Sequence, residues 1–191
     1  MTSSATFPAL AARRRTAGLT LIELLIGVVM AGILLVQAMP EFSSWLARQR
    51  LAGQAGTLGT AMSYAKAEAI TRGVRVTLCP SAAPTASSPA CSSSAWTDGW
   101  LVFVDNTQRA GNTAGVVDAE DTVLRIGERL AGGTATADTA VSSWVAFTPD
   151  GLSVLGPDRA SNGAIRLCLN RQSRSVTLSN VGAITTSSGT C

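Results

Sequence analysis

Glu23 is the residue whose chemistry most needs an explanation. It is the sole charge between Leu19 and Met39, in the run LTLIELLIGVVMAGILLVQAM. As a helix that run is roughly 31 Å long at ~1.5 Å per residue, about the ~30 Å thickness of a bilayer's hydrocarbon core. A carboxylate inside it is costly unless a cation meets it, so it marks a function rather than a plain anchor. Four cysteines, Cys79, Cys91, Cys168 and Cys191, are the other reactive groups, and there is no histidine. That removes the commonest general acid-base group, the commonest metal ligand and every Ser-His or Cys-His nucleophile pair. No metal site or cofactor is expected, because neither cysteine spacing gives a zinc-type pair, and no residue pattern supports an enzyme.

The elements that must position these residues follow from periodicity. Ahead of the apolar run stand Arg13, Arg14, Arg15 and then Gly18, so residues 1–18 read as a processing segment. A general export signal is the competing reading, with Val36-Gln37-Ala38 as its small-residue site. The apolar run is too long for that core of about 7–15 residues and carries Glu23 inside it. Residues 19–40 form the membrane-spanning stretch, and Pro40, which lacks an N–H, is expected to kink the helix. Residues 41–73 continue as an amphipathic helix whose stripe is Leu51, Ala55, Leu58, Met62, Ala65 and Ala69. Gly73 caps it.

From Val74 the period becomes two. Strands are expected over 74–79 (half-buried), 100–105, 122–130 (Gly127 marking a bulge), 143–148, 164–169 and 174–179, the last two joined through 170–173. A Ser/Ala/Pro-rich loop fills 80–94. Strands without intervening helices mean antiparallel sheet packed on one long helix, an α+β domain over 74–191. Beyond an export signal the four cysteines read as disulfides. Four cysteines allow three pairings; proximity favours Cys79 with Cys91, leaving Cys168 for Cys191.

Charge excludes a global polyanion binder. Three of the fifteen basic residues lie before Gly18 and all twelve acidic ones after it, leaving twelve of each. The local group Arg166, Arg171 and Arg174 could meet phosphates; the bland alternative is a solvated strand face. Trp45, Trp96, Trp100 and Trp144 read as core or membrane-interface residues rather than base-stacking platforms.

The basic cluster, Gly18, Thr20, Glu23 and Pro40 together resemble the class III signal of type IV pilins and type II secretion pseudopilins. Tyr64-Ala-Lys-Ala-Glu-Ala-Ile-Thr-Arg72, Val76-Thr-Leu-Cys-Pro80 and Asp98-Gly-Trp-Leu-Val-Phe-Val-Asp105 narrow the resemblance to the GspH/FimT/FimU group. The resemblance implies a pilin-like fold and cleavage by a prepilin peptidase between Gly18 and Leu19, with methylation of Leu19. It places Glu23 and Pro40 where the family carries its assembly Glu and Pro, Glu23 pairing with an N-terminal ammonium to set subunit register. The implied partners are other pilins or pseudopilins, the peptidase and the inner membrane, with the β domain outside it.

The implied role is a minor pilin, a helper subunit in pilus initiation, twitching motility, adhesion or DNA uptake. The alternatives are an H-type pseudopilin of type II secretion and a pilus-borne DNA receptor. Some DNA-binding members carry Gly-Arg-x-Arg near the C-terminus; here Gly182-Ala183-Ile184-Thr185 lacks both arginines, so duplex binding is expected to be weak or undetectable.

Mass spectrometry of the mature N-terminus is expected to find methylated Leu19. A terminus at Met39 would instead mean general export cleavage and sink the class III assignment.

Overall fold

A computed structural model describes residues 20–93, 96–156 and 162–191, with the side chains of 36–41 outside that set. The chain divides into two units, Met1–Glu41 and Phe42–Cys191. Helix α1, Leu21–Arg72, includes Pro40 in its helical backbone. It ends where Gly73 turns to φ +67° and donates its N–H to the Ala69 carbonyl at 3.0 Å, the left-handed stop that glycine adopts without a Cβ clash.

Among the described residues nine strands follow: β1 (Val76–Pro80), β2 (Trp100–Val104), β3 (Thr122–Gly127), β4 (Thr134–Ala137), β5 (Val145–Phe147), β6 (Ser153–Leu155), β7 (Asn162–Leu169), β8 (Gln172–Ser179) and β9 (Ile184–Thr190). They form two sheets of orders β3-β2-β1-β5-β6 and β4-β7-β8-β9, with every pairing antiparallel. The fold is thus α+β, with the sheet expected from sequence divided in two.

In the Phe42–Cys191 unit, the stripe Leu51, Ala55, Leu58, Ala61, Met62, Ala65 and Ala69 is buried. It meets Val76, Leu78, Val102, Phe147 and Leu155 of the first sheet and Ile165, Leu167, Val176 and Leu178 of the second. Four of the seven helical positions are alanine, and this one stripe packs against side chains of both sheets.

Several expected details differ. β1 is buried along its whole length, not half-buried. Its outward residue Cys79 joins Leu101 and Phe103 in a second small cluster covered by Cys91, Val117, Val123 and Trp144. The loops after β1 and β2 therefore roof this sheet. The bulge falls at Leu124, which has no partner while Val102 pairs with Arg125 and Phe103 with Val123. Gly127 stays glycine for another reason: a Cβ there would lie 1.9 Å from Trp100 Cε2. β3 stops at Gly127, short of Leu130. The β7–β8 connection is the two residues Asn170 and Arg171, at φ +47° and +66°. Both positive dihedrals match the tight hairpin turn whose twist suits its strands.

Two devices hold the roof. The Cys79–Cys91 disulfide closes the first loop; Cys168–Cys191, away from the roof, ties Cys191 to β7 of the second sheet. In the second loop Asp105, 2% exposed, accepts from Arg75 Nε at 3.0 Å, Thr77 Oγ1 at 2.6 Å and the Gly115 amide at 3.0 Å. Arg75 in turn lies 4.7 Å from the ring centroid of Trp144. Removing one member of a buried pair strands the other's charge and costs about 3–5 kcal/mol. Asp105→Ala is therefore expected to lower unfolding free energy by about 3 kcal/mol, read from the urea midpoint of the full chain. A loss below about 1 kcal/mol, the scale of an exposed pair, would show that the pair does not hold the roof.

Candidate assembly surface

The candidate surface begins at Thr20, the residue before α1. Its hydroxyl accepts the Glu23 amide at 3.3 Å and its carbonyl accepts the Leu24 amide at 3.2 Å. Thr20 is thus an N-cap, and Glu23 stands three residues on, where a carboxylate is favoured by the helix dipole. Thr-x-x-Glu is the sequence form of a capping box. That local service explains why Glu23 can be kept in an apolar run without explaining why it is needed.

From Leu21 to Leu35 every described side chain is exposed, from 84% at Leu21 to 51% at Ile33. A contiguous apolar surface of this kind marks burial against lipid or protein. Among the described residues no helix is long and apolar enough to cross a membrane. Gly18, Leu19 and the processing segment lie outside the described residues, as does the side chain of Pro40.

In the Phe42–Cys191 unit, Phe42 stacks on Trp45 at 5.9 Å between ring centroids, and both are exposed. Trp96 and Trp100 are core residues, Trp96 donating Nε1–H to the Val141 carbonyl at 3.0 Å. Near the end of α1, Tyr64, Glu68 and Arg72 follow at four-residue steps. Arg72 donates to Glu68, and this bond holds the Glu68 carboxyl below its usual range and the Arg72 guanidinium above its own. Burial, then the Glu68 charge, raises the Tyr64 hydroxyl, while Arg125 sits 5.8 Å from the Tyr64 ring centroid. On the Thr148–Leu152 turn, the Thr148 hydroxyl holds the Asp150 carboxyl below its usual range.

The arginines expected to form one basic group are separated. Arg166 pairs with Ser175, whereas Arg174 pairs with Leu167. Arg174 consequently shares the inner face of its sheet with Val176 and Leu178, and Arg166 the outer face. Arg171 is exposed in the turn between them. The signal was present in the sequence, since any hairpin loop of even length puts an even-numbered residue of one strand opposite an odd-numbered one. Gly182 serves as a turn at φ +72°, its carbonyl accepting Lys66 Nζ at 3.0 Å. Among the described residues no group of His, Cys, Asp or Glu is arranged to hold a metal ion.

Residues 54–182 match the family model described as type II transport protein GspH. A crystal structure of the type IV minor pilin FimU of Pseudomonas aeruginosa is similar in fold. It has a TM-score of 0.51 and 22% identity, over 75% of this chain and 92% of that one. Another crystal form of the same protein gives a TM-score of 0.49 and 20% identity, over 72% and 92%. No curated protein matches the sequence.

Proposed function

The chain belongs to the GspH family of pilin-like proteins, and from that premise we propose that it is a minor subunit of a type IV pilus. In this reading a prepilin peptidase removes residues 1–18 and methylates Leu19. The segment from Leu19 to Pro40 spans the inner membrane until the subunit enters the filament, and the β domain stays outside. The observation that carries the reading is the bare apolar helix from Leu21 to Leu35 with Glu23 in its first turn. In lipid such a segment is covered by acyl chains; in a filament it is covered by the same segment of neighbouring subunits. Exchange of one apolar cover for another costs little, so the charge decides the geometry. An ammonium at Leu19, either the subunit's own or a neighbour's, compensates Glu23 and fixes the axial register of the incoming subunit.

The family model's description favours a second reading, an H-type pseudopilin in a type II secretion piston. Both readings use the same segment in the same way. Display as a DNA receptor has weaker support. Arg166, Arg171 and Arg174 do not share a face, and non-specific affinity scales with the number of phosphates neutralised together.

Glu23→Ala is expected to leave membrane insertion intact while cutting the amount of the chain in sheared filaments at least about tenfold, the scale of losing one charge-assisted contact of ~1.4 kcal/mol or more. Immunoblots of the sheared and membrane fractions measure both. Wild-type amounts of the variant in filaments would refute the pairing role.

A further inference from the structure

The basic residues of the Phe42–Cys191 unit are not equally satisfied. Arg72, Arg75, Arg109 and Arg129 each face a carboxylate, and Lys66 reaches a carbonyl. Arg48 and Arg174 have no such carboxylate among the described residues, yet they line the same cavity. It holds about 360 Å³ between the start of the buried helical stripe and the β8–β9 ladder, lined by Arg48, Leu51, Gln172, Arg174, Ser188 and Thr190 among others.

The ladder explains how these groups meet. Arg174 pairs with Ser188 and Gln172 with Thr190, so a guanidinium, an amide and two hydroxyls share the face turned to α1. Arg48 closes the cavity from the helix, held by a bond from its Nη2 to Ser44 Oγ at 3.2 Å. Two like charges around one cavity repel, and partial burial of Arg174 without an anion adds a desolvation cost. A tetrahedral oxyanion between them reverses both penalties. Guanidinium forks fit phosphate oxygens bidentately, and hydroxyl and amide donors complete the shell. The cavity is open enough for a phosphate group carried on a larger molecule.

We propose that this cavity binds a phosphate group through Arg48 and Arg174, with Ser188, Thr190 and Gln172 as neutral donors. The chemistry is shared by free phosphate and by the headgroup of an anionic phospholipid. The site is independent of which filament the subunit enters.

Thermal unfolding of the full-length chain in a neutral detergent tests it at low and matched ionic strength. One arm titrates inorganic phosphate against chloride; the other compares short-chain phosphatidylglycerol with short-chain phosphatidylcholine. A ligand that binds the folded state raises the melting temperature with its concentration. Half-saturation on the order of millimolar is expected for so small a group. Arg174→Gln and Arg48→Gln are each expected to raise the half-saturating concentration at least about tenfold. Arg166→Gln, on the opposite face of the sheet, should leave it unchanged. Arg48 is exposed on a helix, so its variant keeps the test valid even if Arg174→Gln unfolds. A response to phosphate identifies a free-anion site, and one to phosphatidylglycerol alone identifies a headgroup site. No response in either arm, or the same loss in Arg166→Gln as in the other two variants, would overturn the proposal.

Discussion

The structure depends on burying a single stripe of small side chains. Ala55, Ala61, Ala65 and Ala69, with Leu51, Leu58 and Met62, form one buried face of α1 that packs against residues of both sheets. Burial of apolar surface at roughly 25 cal/mol per Å² is the main favourable term in such a domain. Here one helix face supplies part of it, and larger residues at the alanine positions would have to displace the strand side chains packed on them. Between Leu21 and Leu35 the same helix offers apolar residues on every side, none of them buried among the described residues. A solvated state of that surface is unfavourable, so lipid or another subunit has to complete it.

The first sheet shows how the fold manages its remaining apolar surface. Its inner face meets α1, and its outer face carries Cys79, Leu101 and Phe103, which water would otherwise wet. Loops cover them, and loops need fastening because they form no regular ladder of their own. A disulfide fastens one and the Asp105 network the other. Gly115 belongs to that second fastening. At φ +77° it passes so close to Trp144 that a Cβ would lie 2.1 Å from the indole Cδ1.

How far the sequence revealed this architecture depended on the strength of each local signal. The helix stripe, its Gly73 stop and the apolar strand β2 were legible because hydrophobic pattern and burial agree there, and β1 was legible as a strand but not in its burial. β4 (Thr-Ala-Thr-Ala), β6 (Ser-Val-Leu) and β9 (Ile-Thr-Thr-Ser-Ser-Gly-Thr) were not. Six of the seven residues of β9 are exposed, and its backbone ladder with β8, rather than a hydrophobic face, makes it a strand. The full burial of Thr77 and Cys79 was hidden for another reason: the residues that cover them come from loops far along the chain. On the candidate surface, Glu23 was legible as a charge inside an apolar run, while its amide's bond to Thr20 emerged only from the structure. The shared cavity of Arg48 and Arg174 was not legible, since 126 positions separate them and one lies on α1 while the other lies on β8.

The central claim is that the bare segment of α1 is covered by other subunits once the chain leaves the membrane. A photoreactive residue placed at Leu25 or Ile33 reports what touches it there. Irradiation of isolated filaments is expected to give covalent adducts with neighbouring pilin or pseudopilin subunits through their own N-terminal helices. Adducts in filaments only with lipid, or none with any subunit, would contradict the account.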